Sequence, residues 1–207
     1  MSEKGLLIVL SGPSGSGKDT ILEALFKLDE NVIKSTSATT RPPRDGEVDG
    51  KDYFFVSRED FRKAISNDEM LEYTTYCENY YGTIRAAVDE LRDAGKDVIL
   101  KIEVDGAMQI KEKCPDSIGI FILPPSMKIL ADRLSRRGTE TSCSLEKRLR
   151  RATEELKFAA QYDYIVVNDD ITACAENIHS IIRAEKSRTL RRENIINEVL
   201  LQCKNNQ

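Results

Sequence analysis

Four short runs of apolar residues mark the chain at regular intervals. They occupy positions 6–11 (LLIVLS), 97–104 (DVILKIEV), 118–124 (IGIFILP) and 164–168 (YIVVN). Valine, isoleucine and leucine follow one another in these runs with few polar interruptions. Such runs predict parallel strands that are buried on both faces of a sheet.

Segments with helical periodicity lie between and after the strands. The first, KDTILEALFKL, places four apolar residues at helical spacing: Ile21, Leu22, Leu25 and Leu28. Further helices are predicted at 83–95, 126–138, 144–162 and about 171–201. Strands that alternate with helices are typical of a doubly wound α/β fold, in which helices cover both faces of a parallel sheet.

Residues 34–82 have a different composition. Prolines and glycines are frequent, and the aromatic residues Tyr53, Phe54 and Phe55 follow one another. We expect this region to be an inserted subdomain of short strands and turns. The predicted organisation is one domain over residues 1–207, with a core of 1–33 and 83–207 and the insertion at 34–82.

Composition narrows the classes of protein that fit. A chain of 207 residues with 40% hydrophobic content can bury the core of one domain. Lysine and arginine together number 31 against 35 acidic residues, so nothing indicates a basic surface for nucleic acid. No apolar run approaches the roughly 20 residues that span a bilayer, and the N-terminal run is too short for a signal peptide. We expect a cytoplasmic protein with no nucleic-acid or membrane partner.

The cysteines and the single histidine suggest no metal centre. The five cysteines are scattered, without a C-x-x-C pair, and are best interpreted as reduced thiols. His179 is the only histidine, which disfavours histidine-based metal sites and catalytic triads. A packing role on a helix is the better interpretation of His179.

The segment SGPSGSGKDT, residues 11–20, carries most of a phosphate-loop motif. The motif reads G-x-x-x-x-G-K followed by serine or threonine, and the chain supplies Gly12, Gly17 and Lys18. Glycines let backbone N–H groups converge on phosphate oxygens, and the lysine reaches the outer phosphates as a point charge. The loop also follows a predicted strand and precedes a predicted helix. The candidate phosphate-binding residues are Gly12, Pro13, Ser14, Gly15, Ser16, Gly17, Lys18, Asp19 and Thr20.

Asp19 occupies the position where the motif has a hydroxyl that would bind Mg²⁺. Three interpretations are open. An acid in the first turn of a helix interacts favourably with the helix dipole. Its carboxylate can also hold a water molecule that is bound to the metal. Thr20 offers a hydroxyl one residue later, although the next residue of a helix points elsewhere.

Arg41 and Arg44 flank two prolines that stiffen the backbone between them. Guanidinium groups offer paired donors that suit phosphate oxygens, so the segment is a candidate phosphate clamp. Taken alone, it is equally well explained as a solvated loop.

Several motifs together resemble the guanylate kinase family. They are the phosphate loop, TTRPPRDGEVDGKDYFF, LEY, NYYGT, the segment RLSRRGTE with the later KRL, and DYIVVNDD, in this order. The resemblance extends from Leu6 to about Arg188. It implies a P-loop kinase fold with an inserted nucleotide-monophosphate-binding subdomain and a small lid within 133–157. It also implies transfer of the terminal phosphoryl group of ATP to GMP, and probably to dGMP, with Mg²⁺.

The resemblance assigns roles to individual residues. Ser37 and Glu72 would bind guanine, Thr83 would lie near the base, and the GMP phosphate would be bound by Arg41, Arg44, Tyr53 and Tyr81. The full set implied for GMP is Ser37, Arg41, Arg44, Glu47, Tyr53, Glu72, Tyr81, Gly82, Thr83 and Glu103. The N1–H and N2–H₂ donors of guanine suit a carboxylate, and adenine lacks that donor pattern.

The ATP side and the catalytic residues are also implied by the resemblance. ATP would contact the phosphate loop together with Arg133 and Asn168. The residues implied for catalysis are Lys18, Arg41, Arg137 and Arg148. No residue is expected to bind the metal directly, and Asp19 would reach it through water. No general base is needed, because the GMP phosphate is already an ionised nucleophile.

One motif departs from the family pattern. Where the family usually reads acid–Ile–acid–x–Gln–Gly, this chain has KIEVDG, residues 101–106. Lys101 replaces the first acid, and we expect it to share a strand face with Glu103. Lys101 can pair with Glu103 or Glu72 and weaken guanine recognition, add a contact to phosphate, or turn to solvent.

Two other functions compete with this interpretation. One is a non-catalytic guanylate-kinase-like binding module, which the retained Lys18 and arginines disfavour. The other is a P-loop kinase for a different phosphorylated acceptor, which Ser37 and Glu72 disfavour. The sequence leaves the oligomeric state open.

Overall fold

The computed structural model describes residues 4–135 and 142–205, with side chains for 4–135 and 145–202. The strands are β1 (Leu7–Ser11), β2 (Val32–Lys34), β3 (Ala38–Thr39), β4 (Phe54–Phe55), β5 (Met70–Tyr76), β6 (Asn79–Ile84), β7 (Asp97–Lys101), β8 (Ile118–Leu123) and β9 (Tyr164–Val167). The helices are α1 (Lys18–Leu28), α2 (Arg58–Ser66), α3 (Arg85–Asp93), α4 (Val104–Lys113), α5 (Met127–Ser135), α6 (Ser142–Leu156), α7 (Ile171–Lys186) and α8 (Glu193–Asn205). The predicted α/β class is confirmed.

The larger sheet is parallel throughout, with the order β2-β7-β1-β8-β9. Strand β1 lies at its centre and is buried along its whole length. Side chains alternate between the two faces of a strand. Accordingly, Ile8 and Leu10 pack in the cluster that includes α1 and α7, whereas Leu7 and Val9 pack in the cluster that includes α3 and α4. This two-sided burial is the physical reason why the strand sequence is continuously apolar.

A second sheet has four strands in the order β4-β3-β6-β5 and draws all of them from residues 38–84. Strand β6 pairs antiparallel with both β3 and β5. Helix α2 covers this sheet through Phe61, which is buried in a small cluster with Ala38 and Met70. The sequence analysis expected only short strands and turns here, so α2 is an addition.

The structure corrects the predicted boundaries at two places. Strand β7 ends at Lys101, and the residues after it begin α4, whereas the apolar pattern predicted a strand to 104. The long helix predicted at about 171–201 is divided into α7, a 3₁₀ turn at Thr189–Arg191, and α8. A fifth strand of the larger sheet, β2, is only three residues long and was not predicted.

His179 has the packing role that its position indicated. It lies on α7, and its Nε2 atom is 3.3 Å from the Asp29 carboxylate at the end of α1. No helix within the described ranges is both long enough and apolar enough to cross a membrane.

Candidate functional site

Ten of the predicted site residues line one cavity of about 770 Å³, whereas Arg41, Arg44, Glu47, Thr83, Arg133 and Asn168 are not part of its lining. It lies where the carboxyl ends of β1 and β7 face the second sheet. The predicted residues that line it are Gly12, Ser14, Lys18, Ser37, Tyr53, Glu72, Tyr81, Gly82, Glu103 and Arg148. Residues at the carboxyl ends of parallel strands are the usual ligand-binding positions in open α/β sheets. A smaller cavity of about 270 Å³, beside Glu185 and Arg191, contains none of the predicted residues.

The phosphate loop joins β1 to α1 and has the backbone that its glycines allow. Gly12 and Gly17 have φ angles of 145° and 91°. A Cβ atom at Gly12 would lie 2.4 Å from the Ile122 carbonyl oxygen, so no other residue fits there. Asn168 stabilises the loop, because its Nδ2 donates to the Ser16 carbonyl at 2.7 Å.

Lys18 begins α1 and folds back over the loop. Its Nζ donates to the carbonyl oxygens of Gly12 at 2.6 Å and Pro13 at 3.1 Å. Burial lowers the pKa of Lys18 to about 8. The ammonium therefore lies at the loop, where an anion can replace these contacts with the carbonyl oxygens.

Asp19, the unusual residue of the loop, forms an ion pair with Lys101. Lys101 Nζ lies 2.5 Å from Asp19 Oδ1. Partial burial of Asp19 raises its pKa, but the hydrogen bond and charge of Lys101 outweigh this and leave the pKa below its usual value. None of the three interpretations of Asp19 in the sequence analysis included an ion pair with Lys101.

Lys101 does not pair with Glu103 or Glu72, which corrects one interpretation of the KIEVDG motif. The expected shared strand face is also wrong, because β7 ends at Lys101 and Glu103 is the residue that precedes α4. Glu103 Oε2 instead accepts a hydrogen bond from Arg151 at 2.5 Å.

Glu72, on β5, is buried in the part of the cavity that the second sheet forms. Thr83 Oγ1 donates to Glu72 Oε1 at 2.7 Å across the β5–β6 pair. Burial raises the pKa of Glu72, and the hydrogen bond from Thr83 opposes part of that rise. On the opposite side, a Cβ atom at Gly106 would lie 2.6 Å from Glu72 Oε2. The carboxylate is thus fixed between β6 and α4.

Arg41 is held by a two-pronged ion pair with Glu47. The Arg41 guanidinium contacts the two Glu47 oxygens at 2.9 and 2.8 Å, and Glu47 Oε2 also accepts from the Arg44 backbone N–H at 2.7 Å. Arg41 Cζ lies 5.5 Å from the centre of the Tyr53 ring, whose centre is 6.1 Å from that of Tyr81. Glu47 therefore joins Arg41 to the backbone of Arg44.

The comparisons with known proteins agree with this arrangement. The family model described as guanylate kinase matches residues 4–185. The chain belongs to the guanylate kinase family.

Two relatives and one solved structure illustrate the membership. The chain is 50% identical over 196 residues to the guanylate kinase of Clostridioides difficile, covering 95% of this chain and 96% of that protein. It is 49% identical over 188 residues to the guanylate kinase of Desulfitobacterium hafniense, covering 91% and 94%. The crystal structure of guanylate kinase from Anaplasma phagocytophilum matches with a TM-score of 0.70 and 37% identity, over 92% of this chain and 90% of that one.

The guanylate kinase resemblance also named residues on the lid side. Arg148, on α6, donates to Ser14 Oγ at 2.8 Å and so links that helix to the phosphate loop. Arg133 Nη2 donates to the Asn168 carbonyl at 3.0 Å. Arg137 lies outside the described residues. Thr20 is exposed on α1 and does not line the cavity.

Eight cavity residues had no assigned role in the sequence analysis: Thr74, Tyr76, Lys101, Ile102, Asp105, Gly106, Arg151 and Glu155. Arg151 donates to both Glu103 and Glu155, the latter at 3.0 Å. Its signal was present in the sequence, because it follows Arg148 by three residues on a helix and so shares its face. The role of Gly106 could not be predicted, because it depends on the approach of Glu72, which lies far away in the sequence.

Proposed function

We propose that this member of the guanylate kinase family is an ATP:GMP phosphotransferase that converts ATP and GMP to ADP and GDP. One observation carries the proposal. The same cavity contains Lys18 of the phosphate loop and a buried, hydrogen-bonded carboxylate, Glu72. A nucleoside-triphosphate site and a site that selects an acceptor base therefore face each other.

The proposed guanine contact rests on the fixed position of Glu72. A carboxylate accepts hydrogen bonds from the N1–H and N2–H₂ groups of guanine, and Ser37 offers a hydroxyl donor for O6. Thr83 Oγ1 bonds Glu72 Oε1, which leaves Glu72 Oε2 to accept from the base. Adenine would leave that buried oxygen without a donor, which disfavours AMP.

The proposed GMP phosphate site is the arginine segment with two tyrosines. Arg41 and Arg44 provide guanidinium groups, and Tyr53 and Tyr81 provide hydroxyl donors that line the cavity. Glu47 keeps Arg41 at a fixed orientation before the substrate arrives. Orientation in advance lowers the conformational entropy lost on binding.

The proposed transfer requires electrostatic stabilisation and exclusion of water. Negative charge spreads over the transferred phosphoryl group, and cationic side chains stabilise it most when water is absent. Lys18 and Arg148 lie at the loop side of the cavity. Closure of the segment within 133–157, to which Arg137 belongs, would bring further arginines in and protect the phosphoryl group from hydrolysis.

The residues at the loop fit a magnesium ion that is held mainly by the nucleotide. Among the described side chains, those of 4–135 and 145–202, no three metal-ligating groups cluster into a protein cage. Mg²⁺ commonly binds through substrate phosphates, water and one or two carboxylates. Asp19, whose side chain is 69% exposed, would contact the hydrated ion through water. When bound, the ion would neutralise developing charge on the phosphates.

The domain organisation follows from the same proposal. Residues 34–82 would form the GMP-binding subdomain, which the separate four-stranded sheet supports, although β6 continues to Ile84. The partners would be ATP and GMP, and the protein would act in the cytoplasm.

A coupled assay with a panel of acceptors tests the function. ATP and Mg²⁺ are supplied with GMP, dGMP, AMP, UMP or no acceptor, and ADP formation is followed. We expect turnover with GMP, and with dGMP, well above that with the other acceptors. Turnover with AMP or UMP equal to that with GMP would indicate a different kinase, and none with any acceptor would indicate a binding module.

A further inference from the structure

Lys101 occupies a position that the proposed function does not explain. It ends β7, where it pairs in register with Leu10 of β1. Because β1 continues directly into the phosphate loop, Lys101 emerges beside that loop. Its side chain lines the same cavity as Gly12 and Lys18.

Lys101 and Lys18 are two cations that line the same cavity. Burial is the main cause of the lowered pKa of Lys18, and the charge of Lys101 lowers it further, whereas the carboxylates of Glu155, Asp19 and Glu103 oppose the shift. Both lie at the N-terminal end of α1, where the helix dipole disfavours cations. Two cations at a helix N-terminus are the arrangement that an anion stabilises.

Asp19 is the carboxylate that holds Lys101 in this place. The other acids of the cavity wall are engaged elsewhere or lie apart: Glu72 with Thr83, Glu103 and Glu155 with Arg151, and Asp105 in the first turn of α4. Among the described residues, Asp19 is the one carboxylate in an ion pair with either lysine, since Lys18 Nζ donates to the carbonyl oxygens of Gly12 and Pro13. The Lys101 side chain is 33% exposed, so its ammonium is accessible from the cavity.

We propose that Lys101 is a second phosphate-binding lysine for the ATP polyphosphate, beside Lys18, and that Asp19 is the residue that positions it. The inference rests on the proposed function and adds a residue to its ATP side. In this chain the loop aspartate bonds a protein cation through Oδ1, in addition to the water-mediated contact with the metal that is proposed above.

The test measures ATP binding by titration calorimetry in EDTA, so that the protein's own cations are separated from magnesium. Lys101→Met removes the ammonium and keeps the length of the side chain. We expect it to raise the Kd of ATP about 10-fold, the effect of losing one charge-assisted hydrogen bond at a partly exposed site. Lys4→Met is the control, because Lys4 also lies on a carboxylate, 2.9 Å from Asp93, but precedes β1 at the opposite edge of the sheet.

A second pair of variants separates phosphate binding from simple shielding of Asp19. Asp19→Asn is expected to bind ATP at least as tightly as the wild type, because the asparagine Oδ1 still accepts a hydrogen bond from Lys101 and positions it, while the negative charge that competes with phosphate is gone. Lys101→Met in the Asp19→Asn background is expected to bind about 10-fold more weakly than Asp19→Asn alone. Thermal melting of each variant confirms that it is folded.

Each outcome decides the matter. If Lys101→Met in the Asp19→Asn background binds ATP as tightly as Asp19→Asn alone, Lys101 only shields Asp19 and the inference is wrong. It is equally wrong if Lys101→Met binds ATP as tightly as the wild type. In both of these outcomes the proposed function stands if the wild type still binds ATP and phosphorylates GMP; only the role of Lys101 is rejected. Failure of the wild type to bind ATP would overturn both.

Discussion

The Thr83 hydroxyl and the Glu72 carboxylate are joined by a 2.7 Å hydrogen bond inside the protein. Both residues are buried, at 1% and 4% exposure. Removing a carboxylate from water is costly unless its oxygens are hydrogen-bonded. One oxygen is satisfied by Thr83, and this leaves the other to be satisfied by the substrate base.

Replacement of Glu72 by glutamine should separate recognition from stability. Glutamine keeps an acceptor for Thr83 but presents an amide where guanine needs a second acceptor. We expect kcat/KM for GMP to fall about 10- to 100-fold, with an unchanged Kd for ATP. The melting temperature should stay level or rise, because burial raises the pKa of Glu72 and the neutral amide avoids that cost. A variant that phosphorylates GMP as efficiently as the wild type would contradict the role of Glu72.

Gly106 should be required for the position of Glu72. In Gly106→Ala the new Cβ would lie 2.6 Å from Glu72 Oε2, and this displaces the carboxylate. Alanine favours helix by about 1 kcal/mol over glycine, so helix propensity of α4 cannot explain a loss. Steady-state kinetics should show a higher KM for GMP, while the Kd of ATP is unchanged. Equal effects on both substrates would indicate a general disturbance of the fold.

Glu47 should act through Arg41. Glu47→Gln removes the two-pronged ion pair but leaves both arginines in place. We expect KM for GMP to rise about 3- to 10-fold, a loss of orientation at a partly exposed pair, with a smaller change in kcat. Asp45→Asn, an exposed neighbour, serves as the control. If the two variants behave alike, the general charge of the segment is responsible and the Arg41–Glu47 geometry is not.

ATP binding should depend on pH through Lys18. Burial lowers the pKa of its ammonium to about 8 in the ligand-free protein. Above that pH the amine is neutral and attracts phosphate less, so calorimetry from pH 7 to 9.5 should show affinity that falls with a midpoint near 8.

The effect of Lys18 on folding stability has the opposite dependence on pH. Between pH 8 and the ordinary lysine value of 10.5, the unfolded chain binds more protons, so stability from this group rises with pH.

The Lys18→Met variant provides the control for that pH dependence. Its weak ATP binding should vary little over the same range. A wild-type affinity that stays constant to pH 9.5 would show that the ammonium remains charged in the free protein.

The parts of the fold that follow from local periodicity were predictable. Four of the five core strands and helix α1 have apolar patterns that a buried sheet requires. Strand β2 was missed because three residues carry too little periodicity, and its pairing with β7 is a long-range contact. The end of β7 was misplaced because Ile102 and Val104 continue the apolar pattern into the turn and α4.

The chemistry of the site was predictable only for residues within motifs. Lys18, Arg41 and Glu72 were identified from segments that the family shares, and the structure brings Lys18 and Glu72 to one cavity. The Lys101–Asp19 pair spans 82 residues of sequence, and neither partner points to the other. Such pairs depend on strand order, because β1 and β7 must be neighbours before the two side chains can meet.

The central claim is transfer of a phosphoryl group from ATP to GMP, and direct detection of the product tests it most closely. Purified protein is mixed with Mg²⁺, ATP labelled at its terminal phosphate, and either GMP or AMP, and the nucleotides are separated. The account predicts label in GDP with wild-type protein and a strong decrease with Glu72→Gln. Label that appears only as inorganic phosphate, or in ADP made from AMP as readily as in GDP, would contradict it.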